Sequence, residues 1–221
     1  MIAVNIEEEV AARCPDLRLS CIQCKVKVRA KQVELDRYLP SAIDALQNRL
    51  ELSTIASDPI LQSSRQAYKA LGKDPSRYRL SAEALRRRVA QGKGIYRINN
   101  VVDLLNLISL QYGFSIGGYN ADAIQGPIRL GRGRPEEPYQ AIGRGALNIE
   151  GLPVLRDQLG AFGSPTSDSQ RTMVGPPTEH FLMIFFSFGA GEPLAEATES
   201  AVQALQQYTQ ASELETALIH S

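Results

Sequence analysis

The run His-Phe-Leu-Met-Ile-Phe-Phe-Ser-Phe at residues 180–188 restricts the possible folds more than any other segment. Apolar residues occupy nearly every position, so the run lacks the polar alternation of a strand with one solvated face. We interpret it as a strand that is buried on both faces. The rest of the chain must therefore supply a protein layer on each side of it.

The remaining hydrophobic pattern predicts strands and helices in an irregular order. Strands are predicted at residues 1–6 and 17–28, the second from apolar residues at alternate positions. Helical spacing predicts helices at 31–51, where Pro40 should kink or split the helix, and at 193–212. Because there is no βαβ repeat, we predict an α+β fold with a mixed sheet. Short strands are expected at residues 126–130, 139–142 and 152–155.

The charges are balanced over the whole chain but not along it. The 221 residues include 24 Lys and Arg and 24 Asp and Glu, so the formal net charge is zero. Residues 63–97 contain 10 basic and 2 acidic residues, whereas residues 189–221 contain 5 acidic residues and no basic one. The basic segment predicts a polyanionic partner. The alternative is that the acidic segment folds over the basic one and neutralises it.

Length and composition bear on domain organisation and location. We expect one domain over residues 1–221, composed of an N-terminal part (1–62), a central part (63–188) and an acidic C-terminal helix (189–221). No run of about 18 apolar residues occurs, so we expect no membrane partner. The acidic N-terminal sequence argues against a secretory signal, and three cysteines, an odd number, favour a reducing cytoplasm.

The basic segment is predicted to form two short helices with cations on their surfaces. Ser64 is expected to cap the first helix and Gly72 to end it, and Ser81 is expected to cap the second. Interleaved tyrosines offer stacking surfaces beside the cations, which is typical of nucleic-acid binding. The predicted RNA-binding residues in this segment are Arg65, Lys69, Lys73, Arg77, Arg79, Arg86 and Arg87.

A further helix is predicted from Asn100 to Gly113. Asn100 and Asp103 have the spacing of a capping box, which is one interpretation of both residues. Gly113 can end the helix in a left-handed conformation.

The hydroxyl-rich run at residues 163–172 suggests a polar site. Ser169, His180 and Asp168 are the residue types of a nucleophilic triad, and a serine hydrolase is one alternative. The adjacent pair Glu136-Glu137 in a proline-rich turn is better explained as a solvated loop.

Metal and cofactor motifs are incomplete. Alternation along a strand places Cys21 and Cys24 on opposite faces, and no second ligand pair accompanies them, so we predict no metal site. Gly131-x-Gly133 lacks the third glycine of a dinucleotide motif, so we expect no cofactor.

The stretch from Ser64 to about Phe188 resembles a known family. "SRQAYKALGKDPSRYRLSAEALRRRV" and "IYRINNVVDLLNLISLQYG" are similar to the tRNA-binding and editing module, called B3/B4, of the β subunit of bacterial phenylalanyl-tRNA synthetase. The chain looks most similar to free-standing proteins that contain only this module. The helix "NNVVDLLN" carries the most specific part of the resemblance.

The resemblance implies a three-layer β/β/α fold with a mixed sheet. It also implies a pocket that accepts the aminoacylated 3′ end of tRNA and hydrolyses a mischarged ester. The resemblance also implies that three polar pocket groups of the family are replaced in this chain. Leu105 replaces a threonine, Gly117 replaces a histidine, and Ile184 replaces a glutamate.

The resemblance implies a site in which the helix and the hydroxyl-rich loop face each other. Asp168 and Ser169 are the expected catalytic groups, with Arg171 near the terminal phosphate of the RNA. The expected pocket residues are Asn100, Asp103, Asn106, Gly117, Thr166 and Ser167.

Three functions follow as hypotheses. The first is a tRNA-binding module that does not aminoacylate, with tRNA or aminoacyl-tRNA as its partner. The second is a hydrolase that acts in trans on mischarged aminoacyl-tRNA or a related aminoacyl ester. The third is a small-molecule binding protein with a closed pocket lined by Leu105 and Ile184, and with its basic residues paired to the acidic tail.

Overall fold

A computed structural model describes all residues from 1 to 221. Its strands are β1 (Val4–Ile6), β2 (Arg18–Lys25), β3 (Ser115–Asn120), β4 (Ile128–Arg132), β5 (Gln140–Ala141), β6 (Gly145–Ala146), β7 (Pro153–Asp157), β8 (Gly160–Gly163), β9 (His180–Ser187) and β10 (Ser212–His220). Its helices are α1 (Glu8–Arg13), α2 (Val33–Gln47), α3 (Pro59–Ala70), α4 (Ser81–Ala90), α5 (Asn100–Tyr112) and α6 (Leu194–Thr209). None of these helices has both the length and the apolar character needed to cross a bilayer.

The apolar run forms β9, a central strand of an antiparallel sheet with the order β10-β2-β9-β3, which we call the inner sheet. Leu182, Ile184 and Phe186 point to one face and join the core between the two sheets. Phe181, Met183 and Phe185 point to the other face and pack beneath the helices. The prediction that this strand is buried on both faces is confirmed.

A second sheet, the outer sheet, has the order β1-β4-β7-β8. Its β1 and β4 are parallel and the other pairs are antiparallel, so it is the mixed sheet. A core of 19 buried residues lies between the two sheets, and a core of 17 buried residues lies between the inner sheet and the helix layer of α5 and α6. The predicted α+β class and β/β/α arrangement are confirmed.

The helix predictions differ from the structure in detail. Ser81 does not cap the second basic helix, because it is the first residue of α4 and the N-cap position is Leu80, which forms no side-chain capping bond. The first basic helix begins at Pro59 rather than at Ser64, because Asp58 accepts hydrogen bonds from the backbone N–H groups of Ile60 and Leu61 and a proline fits the first helical position. Pro40 does not split α2, which is one continuous helix. Burial of the apolar side of α2, led by Leu35, Leu39 and Ile43, offsets the missing backbone hydrogen bond.

The C-terminal segment differs from its prediction. Helix α6 ends at Thr209, because Gln210 adopts a left-handed conformation with φ of 56°. The chain then forms β10, a strand absent from the sequence prediction, which pairs antiparallel with β2. The two cysteines of the Cys-x-x-Cys sequence lie on opposite faces of β2, as predicted, with Cys21 in the core between the sheets and Cys24 in the core beneath the helices.

Candidate functional site

A cavity of about 460 Å³ lies between the helix layer, the edge strand β3 and the loop that follows β8. Leu105, Asn106 and Ser109 reach it from α5, and Ser81, Ala84 and Leu85 reach it from α4. Ser164, Thr166, Ser167 and Asp168 reach it from the loop. The predicted opposition of the helix and the hydroxyl-rich loop is therefore present in the structure.

Asp168 is the only carboxylate among the residues that line this cavity. Its Oδ1 accepts a hydrogen bond from the Tyr119 hydroxyl at 2.8 Å, and its Oδ2 accepts one from the Gly118 backbone N–H at 3.3 Å. The Gly118 N–H can donate to Asp168 because β3 is an edge strand, so no further strand pairs with its outer side. Burial raises the pKa of Asp168 from 3.8 to about 7, and these hydrogen bonds partly oppose the shift. The carboxyl therefore changes its protonation state near neutral pH.

Two glycines make room for the hydroxyl that holds Asp168. A Cβ atom on Gly117 would lie 1.8 Å from the Tyr119 Oη atom, and one on Gly163 would lie 2.3 Å from it. Gly117 therefore faces the space that Tyr119 fills, and it is absent from the cavity lining where we expected it. The absence of a side chain at Gly117 admits the Tyr119 ring.

The loop hydroxyls hold the shape of the cavity wall. Ser164 donates to the Ser167 carbonyl at 3.0 Å and accepts from the backbone N–H groups of Thr166 and Ser167. The Thr166 hydroxyl is hydrogen-bonded to the buried Tyr68 hydroxyl at 2.8 Å. The Ser167 hydroxyl has only a 3.5 Å contact, to the Asp168 carbonyl, so it is the loop hydroxyl best placed to turn toward a ligand.

The mouth of the cavity is apolar and basic. Four of the ten exposed large apolar side chains of the protein border it, and Tyr96 is 66% exposed. The Arg88 guanidinium stacks 3.8 Å from the centre of the Tyr96 ring, and the exposed Arg144 also lines the cavity. Exposed apolar side chains gathered around one opening are typical of a binding site. The three other exposed apolar residues at the mouth are Ile98, Ile142 and Met173.

Two of the expected pocket residues serve the local fold instead. The N-cap of α5 is Asn99, whose side chain accepts from the Val102 N–H, so the capping box predicted from Asn100 and Asp103 is wrong. The Asn100 side chain is buried and bonds to three backbone groups, those of Lys27, Arg29 and Tyr208. Asp103 is buried and accepts from Arg97 at 2.6 Å. Neither Asn100 nor Asp103 lines the cavity, whereas Asn106, Thr166, Ser167 and Asp168 do.

The structure does not assemble the nucleophilic triad. Ser169 is buried, and its hydroxyl accepts from the Arg171 N–H at the start of a short turn. His180 pairs with Asp122 at 2.8 Å rather than with Ser169 or Asp168. Arg171, expected near an RNA phosphate, forms a two-point contact with the buried carboxylate of Asp157. The serine hydrolase alternative is therefore wrong.

Three of the cations predicted to bind RNA surround one buried carboxylate. Glu83 on α4 is 2% exposed. Arg65 contacts it at 2.8 Å, Arg87 at 2.9 Å and Arg79 at 3.8 Å. A buried carboxylate needs such compensation, so these arginines stabilise the packing of α3 against α4.

Two more of these cations are buried. The Arg86 guanidinium pairs with Asp58 at 2.6 Å and donates to two carbonyls at the end of α5. Lys73 donates to the carbonyls of Asn148 and Glu150, and burial lowers its pKa. Of the seven predicted RNA-binding residues in this segment, Lys69 and Arg77 are exposed without an ion pair.

The acidic C-terminal segment does not cover the basic one. Glu213 pairs with Lys25, and Glu215 pairs with the amino group of the N-terminus. Glu192 accepts hydrogen bonds from two serines and is held near Arg18. The expectation that the basic residues pair with the acidic tail is wrong, because their carboxylate partners are Glu83, Asp58, Asp36 and Asp103. Ile184 lies in the core between the sheets, so the expected pocket lined by both Leu105 and Ile184 does not form.

Sequence reasoning missed a second basic surface. Lys25, Lys27, Arg29 and Lys31 alternate along the chain, and this spacing was the available signal. Lys27, Arg29 and Lys31 line a polar depression of about 360 Å³ beside Asn100, at the start of α5. Ile98 and Val102, which border the main cavity, flank the same helix start. We call Lys27, Arg29 and Lys31 the basic strip.

A larger cavity, of about 570 Å³, lies between α6 and β10. Its lining includes apolar residues, Arg18 and two glutamates, one of which, Glu192, is engaged in hydrogen bonds. We take the cavity beside Asp168 as the candidate site, because it joins a carboxylate whose pKa is raised by burial, the available Ser167 hydroxyl and an exposed apolar and basic mouth.

Comparison with known proteins identifies a family and similar solved structures. The family model of the B3/4 domain matches residues 63–211, which include α6 as well as the region of resemblance. No curated protein matches the chain. The chain is similar to the N-terminal fragment of the phenylalanyl-tRNA synthetase β-subunit from Pyrococcus horikoshii, with a TM-score of 0.48 and 13% identity, over 98% of this chain and 50% of that one. It thus spans about half the length of that fragment.

Proposed function

Since the chain belongs to the B3/4 domain family, we propose that it binds the aminoacylated 3′ end of a tRNA in the cavity beside Asp168. The observation that carries this proposal is the composition of that cavity. Its depth offers a carboxylate and hydroxyls, its walls are apolar, and its mouth has an exposed aromatic ring beside two arginines. A volume of about 460 Å³ lies within the range of small-molecule sites and suits an amino acid with part of its ribose.

The mouth fits the chemistry of a single-stranded nucleic-acid end. Bases stack on exposed aromatic side chains regardless of sequence, and Tyr96 offers such a surface. Arg88 and Arg144 lie where they can contact the last phosphates. The aminoacyl side chain would pack against Leu105, Ile116 and Val174 inside the cavity.

The preceding phosphates would continue across the start of α5 toward the basic strip. Lys27, Arg29 and Lys31 are exposed and form none of the ion pairs of the structure. This path replaces the one expected along residues 63–97, where most cations are held by Glu83, Asp58 or backbone carbonyls.

Fluorescence anisotropy with uncharged and aminoacylated tRNA at low salt tests the proposal. Arg144→Gln and Lys27→Gln should each weaken binding and reduce the slope of log affinity against log salt by about 1. Arg79→Gln is the matched control. Because Arg79 contacts Glu83, this variant should leave the slope unchanged. Absence of binding of either tRNA at micromolar protein would refute the proposal, and equal slopes for all variants would refute the site.

A second candidate function is hydrolysis of the aminoacyl ester. The favouring observation is that Asp168 borders the cavity with a pKa raised by burial to about 7, which suits a general base at neutral pH. The carboxylate would take a proton from a water that attacks the ester carbonyl, and the products would be the free amino acid and the tRNA 3′ hydroxyl.

Deacylation of a panel of mischarged tRNAs tests this function. Wild-type protein should accelerate release of at least one amino acid, and Asp168→Asn should remove the acceleration while retaining tRNA binding. Release at the spontaneous rate for every tRNA in the panel would reject hydrolysis and leave the binding proposal intact.

A further inference from the structure

We infer that Asp168 binds the free α-ammonium group of the aminoacyl ligand, so that the cavity selects amino acids whose amine is unmodified. This inference rests on the proposed function, because it specifies the ligand class of the same cavity. Its basis is a contrast between Asp168 and the other desolvated carboxylates of the protein.

Four other carboxylates of low exposure each contact at least one arginine directly. The distances are at most 2.9 Å, and the side chains are between 0% and 12% exposed. This pattern is expected, because a carboxylate withdrawn from water is strongly unfavourable without a cation. The pairs are Glu83 with Arg65, Asp103 with Arg97, Glu137 with Arg156, and Asp157 with Arg171.

Asp168 forms no ion pair. Its hydrogen-bond donors are the Tyr119 hydroxyl and backbone N–H groups, all of them neutral. The nearby Arg171 is held by Asp157, and the Arg88 guanidinium is stacked on Tyr96. Glu192, whose pKa is also raised by burial, forms no ion pair either, but the charge of Arg18 opposes that shift. No cation acts on Asp168 in this way, and Asp168 borders the candidate cavity.

A ligand can supply the missing charge. The walls beside Asp168 include Leu105, Ile116 and Val174, so the ligand would present an apolar body together with a cationic group. An amino acid esterified through its carboxyl has this composition, since its carboxylate charge is lost and its α-ammonium charge remains. Acylation of the amine would remove the cation and add bulk, and the desolvated carboxylate would stay uncompensated.

The pH dependence follows from the two charged groups. Binding needs Asp168 deprotonated and the amine protonated, and a free α-amino group has a pKa near 7.7–8.0. Affinity should therefore peak between about pH 7 and pH 8. The titratable groups facing Asp168 are Tyr119 and Tyr139, and burial raises the pKa of each above its usual range, so neither titrates in this window. The other charged groups near the cavity are Arg88 and Arg144, which line it, and Arg171, which is paired with Asp157.

NMR titration of the full chain with leucinamide and N-acetyl-leucinamide tests the inference without tRNA. The Gly118 amide, which donates to Asp168, is the reporter signal. For wild type, leucinamide should bind about tenfold or more tightly than the acetylated compound, as a charge-assisted contact predicts. Asp168→Asn should remove this preference, and Asp122→Asn, which alters an exposed carboxylate paired with His180, should retain it.

Equal binding of the two amides by wild type, or no shift with either at their solubility limits, would overturn the inference. So would a preference that persists in Asp168→Asn. The tRNA titration is run beside this one. Loss of tRNA binding with a retained amine preference would refute the proposed function alone, and tRNA binding without an amine preference would refute the inference alone.

Discussion

The Tyr119 hydroxyl donates a hydrogen bond of 2.8 Å to Asp168, joining β3 to a loop 49 residues further along the chain. Tyr119 is fully buried, and its ring packs edge-on against Phe162 at a centroid distance of 5.0 Å. The hydroxyl is therefore fixed in position, and it orients the one carboxylate of the candidate site.

Tyr119→Phe should raise the pKa of Asp168 above about 7, because the hydrogen bond from Tyr119 lowers it in the wild type. The unsatisfied carboxyl oxygen should also reduce the free energy of unfolding by about 1–3 kcal/mol at pH 8. The pKa can be measured from the pH titration of the Gly118 amide signal. Tyr68→Phe is the matched control, since Tyr68 is equally buried but bonds to Thr166, and it should leave that titration unchanged.

The free energy of unfolding should fall as pH rises from about 4 to about 7 through the contribution of Asp168. The folded-state pKa is raised to about 7 from 3.8, so the folded state holds more protons than the unfolded state across this window. At 1.4 kcal/mol per pKa unit the loss is on the order of 2–4 kcal/mol, the lower figure allowing for water in the cavity.

Urea unfolding at pH 4.5, 6 and 8 measures this slope. Asp168→Asn should remove this pH dependence. Its free energy of unfolding, compared with that of the wild type, should therefore be most favourable at pH 8. Asp157→Asn is the control of opposite sign, because the hydrogen bonds from Arg171 and two backbone N–H groups lower the pKa of Asp157, despite an opposing contribution from burial. Identical pH profiles for wild type and Asp168→Asn would contradict the assignment.

Glu83→Gln should destabilise the protein by about 3–5 kcal/mol, because it leaves Arg65, Arg79 and Arg87 around a neutral group. At a temperature where the variant remains folded, it should also bind a single-stranded RNA more tightly at low salt, since the arginines lose their internal partner. Thermal unfolding and fluorescence anisotropy measure the two effects. Glu136→Gln, in an exposed loop, should change neither. Unchanged stability of Glu83→Gln would show that the cluster is not a structural ion-pair network.

Gly117→Ala should displace the Tyr119 ring, because the new Cβ would lie 1.8 Å from the hydroxyl oxygen. We expect a loss of about 1–3 kcal/mol from overpacking and a change in the Gly118 amide signal as the bond to Asp168 breaks. Gly175→Ala is the control, since its Cβ would meet Pro177 at an ordinary 3.6 Å. A wild-type spectrum for Gly117→Ala would show that the Tyr119 position is not restricted by this glycine.

Features that depend on one segment could be predicted from the sequence. The apolar run became the central strand β9, and Gly113 ends α5 with a φ of 89°. Both features follow from local rules. A continuous apolar run indicates a strand buried on both faces, and a left-handed backbone conformation favours glycine. The same segments carry the family resemblance, and the B3/4 match over residues 63–211 confirms it. Of the six expected pocket residues, Asn106, Thr166 and Ser167 line the cavity, whereas Asn100, Asp103 and Gly117 do not.

Only the tertiary structure decided which charges are free. Arg65 and Glu83 are 18 residues apart in sequence, and Arg86 and Asp58 are 28 apart, yet each pair meets within 2.8 Å. Charge counted along the chain cannot detect such pairs, because packing of α3, α4 and the preceding turn brings them together. The sequence by itself determined a layered fold and a basic segment. Packing then withdrew most of that positive charge from the surface and left the Asp168 carboxylate without a cation, since ion pairing depends on distance in space.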